Sequence, residues 1–182
     1  MTMKNTIFPF AICIFLFFAC SEEDDSGIIP GSTIPSVKQA ATYQVNFEED
    51  IIYAEGLSHE SLNSSNATTV PLKLDIYTPA NDIENRPLFM FIHGGAFANG
   101  SKQQAAITNI ARFYSARGWV FASIDYRVLG DLGTIPTKWA DFAASLPVSD
   151  EDKASFNAMY PAQRAAKAAL RWLVANRETY KI

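Results

Sequence analysis

The sequence predicts an α/β domain in which an antiparallel hairpin is followed by parallel βαβ connections, and three observations predict it. A continuous apolar run, Leu88-Phe89-Met90-Phe91-Ile92, leads directly into a histidine and two glycines. A helical stripe follows at Ile107, Ile110, Ala111 and Tyr114, and a second apolar run, Trp119 to Ile124, comes straight after it. Strand, helix, strand at this spacing is a right-handed crossover between parallel strands. The chain has 182 residues, 48% of them hydrophobic and 19% charged, which is ordinary for one globular domain.

Residues 1–19 are set apart before any fold reasoning. Lys4 supplies a positive start, Ile7 to Ala19 is apolar throughout apart from Pro9, and a small residue precedes Cys20. The apolar run suits a secretory segment and is shorter than the roughly 20 residues needed to span a bilayer. It resembles the presequence of bacterial lipoproteins, with Phe17 where leucine is usual. That resemblance implies cleavage before Cys20, lipid on Cys20 and an exported protein at the outer membrane or cell surface of a Gram-negative bacterium. The acidic run Ser21 to Asp25 resembles a surface-export tag and also suits a solvated tether. Residues 20–41 then read as lipid anchor and flexible linker, and 42–182 as the folded domain.

Within the domain, Ile51-Ile52-Tyr53-Ala54 and Pro71 to Tyr77 read as two strands joined by a polar loop around Asn63 to Asn66. Leu72, Leu74 and Ile76 alternate with Lys73, Asp75 and Tyr77, the period of a half-exposed antiparallel strand near a sheet edge. Leu88–Ile92 lacks alternation, which predicts a central strand covered on both faces. The helix around Ile107 to Tyr114 should stop at Gly118. A last helix is expected to begin at Pro161, with Ala162, Ala166, Ala169, Leu170 and Leu173 on its packed face. From Arg127 to Tyr160 no period persists; Trp139, Phe142 and Phe156 make this segment either a pocket wall or a loop that packs its own aromatics.

The turn His93-Gly94-Gly95-Ala96-Phe97 sits where a parallel sheet presents its ligand crevice. Glycines there let the backbone approach a ligand, and successive amides form an anion-binding concavity. A structural tight turn would also explain the glycines. A phosphate loop is disfavoured, because neither G-x-G-x-x-G nor G-K-[ST] occurs.

Four segments in order, Leu74 to Pro79, His93 to Phe97 with Gly100-Ser101, Asp125-Tyr126-Arg127, and Ala168 to Leu173 with Asn176, resemble the α/β-hydrolase carboxylesterases and lipases that carry a His-Gly-Gly turn. The likeness covers about residues 51–182. It implies an oxyanion hole made by the backbone amides of Gly94, Gly95 and Ala96, with His93 supporting the turn rather than acting as base. It further implies a serine esterase working through an acyl-enzyme. The family's nucleophile motif G-x-S-x-G is absent from this chain, as are the triad acid and histidine that follow it. The chain therefore reads as an amino-terminal part of such a hydrolase, truncated before the nucleophile elbow and inactive on its own. Asp125 and Arg127 read as structural polar residues, and His59 as a surface residue.

The net charge of −4 leaves no basic face for nucleic acid. With only His59 and His93 available, no metal site and no cofactor are expected. The expected partners are a small-molecule or polysaccharide-linked ester and, through Cys20, a membrane. The competing function is a surface lipoprotein that keeps this scaffold for binding and has lost its chemistry; the intact glycine turn argues against it.

Overall fold

The computed structural model describes residues 37–182. The expected presequence over 1–19, the expected lipid site at Cys20 and most of the expected linker lie outside the described residues. Four strands, β1 (Val45–His59), β2 (Ala67–Pro79), β3 (Leu88–Ile92) and β4 (Val120–Ile124), form one sheet in the order β1-β2-β4-β3. β1 and β2 are an antiparallel hairpin, β2 runs antiparallel to β4, and β3 runs parallel to β4 from Leu88 beside Val120 to Ile92 beside Ile124. The helix α1 (Ala105–Ser115) makes the parallel crossover, and α2 (Thr137–Ser145), α3 (Asp150–Ala175) and the short α4 (Arg177–Tyr180) follow β4. Gly118, at φ +109°, turns the chain from α1 into β4. The antiparallel hairpin followed by a parallel crossover is the α/β arrangement that the sequence predicts.

Both faces of the sheet are covered. On one, Leu72, Leu74, Ile76, Val120, Ala122 and Ile124 pack against Ala162, Ala165, Ala169 and Leu173 of α3. On the other, Tyr77, Phe121, Phe89 and Phe91 pack against Ile107 and Ala111 of α1. This corrects the expected half-exposed β2. Its alternation separates two buried faces, so that Asp75 is 0% and Tyr77 2% exposed. Phe47 stacks on Tyr77 with ring centroids 4.5 Å apart, and Lys102 covers Asp75.

β3 also departs from expectation. It is the edge strand of the described sheet, pairs only with β4, and has Ile92 46% exposed with the rest half-buried. The fully covered strand is β4. Likewise Ile110 on α1 faces out, because the buried stripe is Ile107, Ala111 and Ser115.

The last long helix begins eleven residues before Pro161. Ser149 Oγ accepts the Asp152 N–H at 3.1 Å, and Asp150, Glu151 and Asp152 place negative charge on the first turn, where the helix dipole favours it. Pro161 is therefore interior and lacks the N–H that would reach the Asn157 carbonyl. Its ring is buried against Gly133, where an added Cβ would lie 2.5 Å from Pro161 Cβ. Leu170 is 45% exposed, because the packed stripe runs through Ala162, Ala165, Ala169 and Leu173.

The segment after β4 divides into two kinds of structure. Trp139, Phe142 and Phe156 pack on one another, Trp139 stacking on Phe156 at 4.8 Å. Val128, Leu129, Leu132 and Gly133 instead join Leu62 from the hairpin tip and Ala158 and Pro161 of α3 around a small apolar cavity of about 110 Å³.

Candidate active site

The turn after β3 is built from backbone conformations that ordinary residues avoid. Gly95 and Gly100 have φ of +125° and +121°, and Ala96 and Phe97 follow in the left-handed region at +52° and +61°. A Cβ on Gly95 would lie 2.0 Å from the Asn99 carbonyl oxygen, so only glycine fits there. The Gly95 carbonyl accepts the N–H groups of Ala98 and Asn99, which closes the turn. Among the described residues no acceptor takes the N–H of Gly94, Gly95 or Ala96, and all three residues are exposed. Three successive unpaired main-chain donors at the carboxyl end of a strand can hold an anionic oxygen.

His93 lies beneath this turn and is 3% exposed. Its Nδ1–H donates to the Gly94 carbonyl at 2.8 Å; a carbonyl only accepts, so this nitrogen carries the proton. The Tyr126 hydroxyl donates to the His93 carbonyl at 2.9 Å, and the two rings stack at 4.2 Å. Burial pushes the Tyr126 hydroxyl above its ordinary pKa and keeps it a donor. Gly100 closes over the imidazole, where a Cβ would come within 2.3 Å of Nδ1.

The far end of the turn is Lys102, a residue that sequence reasoning missed. Its side chain is 4% exposed, and its Nζ lies 2.7 Å from Asp75 Oδ1 and 2.8 Å from Asp50 Oδ1. Asp50 N–H also donates to Asp75 Oδ1 at 2.9 Å, while Asp75 Oδ2 is buried without a partner among the described residues. Burial alone would lower the Lys102 ammonium, but its hydrogen bonds to Asp50 and Asp75 outweigh that and raise it. The Lys102 N–H donates to Asp125 Oδ1 at 2.7 Å, and Ser123 Oγ donates to the Lys102 carbonyl at 2.9 Å. The available signal was a lysine directly after Gly100-Ser101, with an aspartate on the second face of β2 needing a counter-charge.

Arg127 lies away from the turn. Its Nη1 and Nη2 donate to the carbonyls of Leu57 and Pro161 at 3.3 and 3.2 Å, tying β1 to α3. His59 is only partly exposed, contrary to its reading as a plain surface residue. Its Nδ1–H donates to the Ser64 carbonyl and its Nε2 meets Thr134 Oγ1, each at 2.7 Å, so it holds the hairpin tip against the loop after β4.

A mixed sheet of this order with helices on both faces and an open amide turn after its parallel strand is an α/β domain that presents main-chain donors at a strand's carboxyl end. Residues 74–157, somewhat under half the chain, match the model of the BD-FAE family. Among solved structures it is similar to brefeldin A esterase, a bacterial homologue of human hormone sensitive lipase, at 15% identity and a TM-score of 0.47 over 82% of this chain. It is also similar to a bacterial heroin esterase, at 19% identity and a TM-score of 0.42 over 76% of the chain. A third similar structure is a truncated form of a carbohydrate esterase from gut microbiota, at 20% identity and a TM-score of 0.42 over 80% of the chain. This chain spans 32%, 32% and 38% of their respective lengths.

Proposed function

We propose that this chain supplies the oxyanion-binding part of a carboxylic ester hydrolase which, in the whole protein, works through a serine acyl-enzyme. The observation that carries the reading is the run of exposed N–H groups at Gly94, Gly95 and Ala96, unpaired among the described residues. As an ester carbonyl becomes tetrahedral its oxygen turns negative, and preorganised donors hold that charge without reorganising. His93 serves the turn rather than the proton transfer, its Nδ1–H being committed to Gly94 within a buried site. The match of residues 74–157 to an esterase family supports the same reaction class. The substrate proposed is a small-molecule or polysaccharide-linked ester, met at the outer membrane or cell surface where lipid on Cys20 would hold the protein. Lacking G-x-S-x-G, the 182-residue chain by itself is expected to leave an activated aryl ester intact.

Gly94 allows a test that separates function from folding. A Cβ built there meets nothing within 4 Å, so Gly94→Ala should fold with an unchanged thermal midpoint. The added methyl group projects into open space beside the amides. In the whole protein we expect kcat/KM on 4-nitrophenyl acetate to fall at least about tenfold, equivalent to about 1.4 kcal/mol of barrier. Full activity in Gly94→Ala would remove the turn from the reaction.

A further inference from the structure

Two consecutive residues after β4 hold the two ends of the turn. Asp125 Oδ1 accepts the Lys102 N–H at 2.7 Å, and the Tyr126 hydroxyl donates to the His93 carbonyl at 2.9 Å. Lys102 is fixed through each of its polar groups: N–H to Asp125, carbonyl from Ser123, and Nζ on Asp75 and Asp50. Asp125 is fixed in turn, since its N–H donates to the Lys73 carbonyl at 2.9 Å and its carbonyl accepts the Tyr53 hydroxyl at 2.7 Å. Between these ends the chain passes through positive φ at Gly95, Ala96, Phe97 and Gly100. Residues in such sparsely populated conformations persist only where the surroundings over-determine them.

We infer that Asp125 is a positioning residue, whose Oδ1 pins the Lys102 end of the 93–102 turn while its neighbour Tyr126 holds the His93 end, and which so sets where the N–H groups of Gly94, Gly95 and Ala96 point. Its bearing on catalysis rests on the function proposed above; its hold on the turn does not. Asp125→Asn keeps an oxygen in place, whereas Asp125→Ala removes it. The side chain is 39% exposed, so its removal opens no buried cavity.

The full chain has nine glycines, so labelling glycine alone with ¹⁵N gives a sparse amide spectrum. Asp125→Ala should move the cross-peaks of Gly94, Gly95 and Gly100 while Gly56 and Gly133, which pack against Arg127, stay in place. Asp125→Asn should return the turn peaks to their original positions. Turn glycines that stay still in Asp125→Ala, or a spectrum in which all glycines move together, would overturn the inference. Should Asp125→Ala not fold, Asp125→Ser draws the side-chain oxygen back from the Lys102 N–H and must displace Gly100; a stationary Gly100 overturns it equally. In the whole protein Asp125→Ala should lower kcat on 4-nitrophenyl acetate about a hundredfold, the scale of a misplaced reacting group, with KM little changed. Displaced turn glycines in a protein that hydrolyses no ester would support the positioning role and remove the hydrolase reading alone.

Discussion

β3 and β4 are neighbouring five-residue apolar strands, yet every residue of β4 is buried and none of β3 is. Their continuations differ in the same sense. After β4, Asp125, Tyr126 and Arg127 commit their polar groups to Lys102, His93, Leu57 and Pro161. After β3, Gly94, Gly95 and Ala96 leave their N–H groups open among the described residues. Hydrophobicity does not set burial by itself; neighbours do. β4 has strands on both sides and helices on both faces, whereas β3 has one paired neighbour. The molecule thus sets a tightly engaged strand beside an open one, and the engaged strand's continuation holds the open one's turn.

Deleting equal side chains from the two strands should sharpen that contrast most. Phe121 is 0% exposed and its ring centroid lies 5.0 Å from that of Phe89 and 6.0 Å from that of Phe91. Phe121→Ala removes a fully enclosed ring and should cost about 4 kcal/mol. Phe91 is only partly buried, so Phe91→Ala forfeits less area and should cost about 1–2 kcal/mol. Urea unfolding at unchanged slope measures both. Equal losses would mean that β3 is packed as tightly as β4, and the distinction between them would fail.

Next in size is the ion pair that ties the turn to β2. Lys102→Met leaves the Asp75 carboxylate buried with no counter-charge, and breaking a buried pair in this way costs about 3 kcal/mol or more. Adding Asp75→Leu removes the stranded charge as well and should recover most of that loss. A double variant as unstable as the single one would show that the loss does not come from a stranded Asp75 charge.

Lys102 also marks how far the sequence could be read. The strands, α1, the parallel crossover and the glycine turn were legible because each is a local pattern: an apolar run, a 3.6-residue stripe, two glycines after a strand. The second buried face of β2 was not, since alternation at Lys73, Asp75 and Tyr77 looks the same whether the polar face meets water or a buried lysine. The partner of Asp75 lies beyond β3 in the chain, and only the fold brings it near. The edge position of β3 depends on strand order, which periodicity does not encode. The start of α3 was available in Ser149-Asp150-Glu151-Asp152, but Pro161 offered a second start signal, and only its packing on Gly133 shows why proline is tolerated mid-helix.

The smallest expected effect tests whether the open turn is held against its own preference. Ala96 has φ +52°, where a residue with a Cβ is disfavoured by about 1–2 kcal/mol, and Phe97 continues in the same region at +61°. Ala96→Gly relieves that strain in the folded chain while giving the unfolded chain more freedom, about 0.4–1 kcal/mol in the opposing direction. The net should be a gain of about 0.5 kcal/mol, read as a small rise in the urea midpoint, with the amide at position 96 kept. Phe97 offers no such relief, because its ring packs on Tyr126 at 6.3 Å and its carbonyl accepts the Leu129 N–H at 2.7 Å. A clear loss of stability in Ala96→Gly would mean that the methyl group is worth more than the strain. The turn would then be stabilised by its own side chains, and the anchoring ascribed to β4 and Lys102 would be unnecessary.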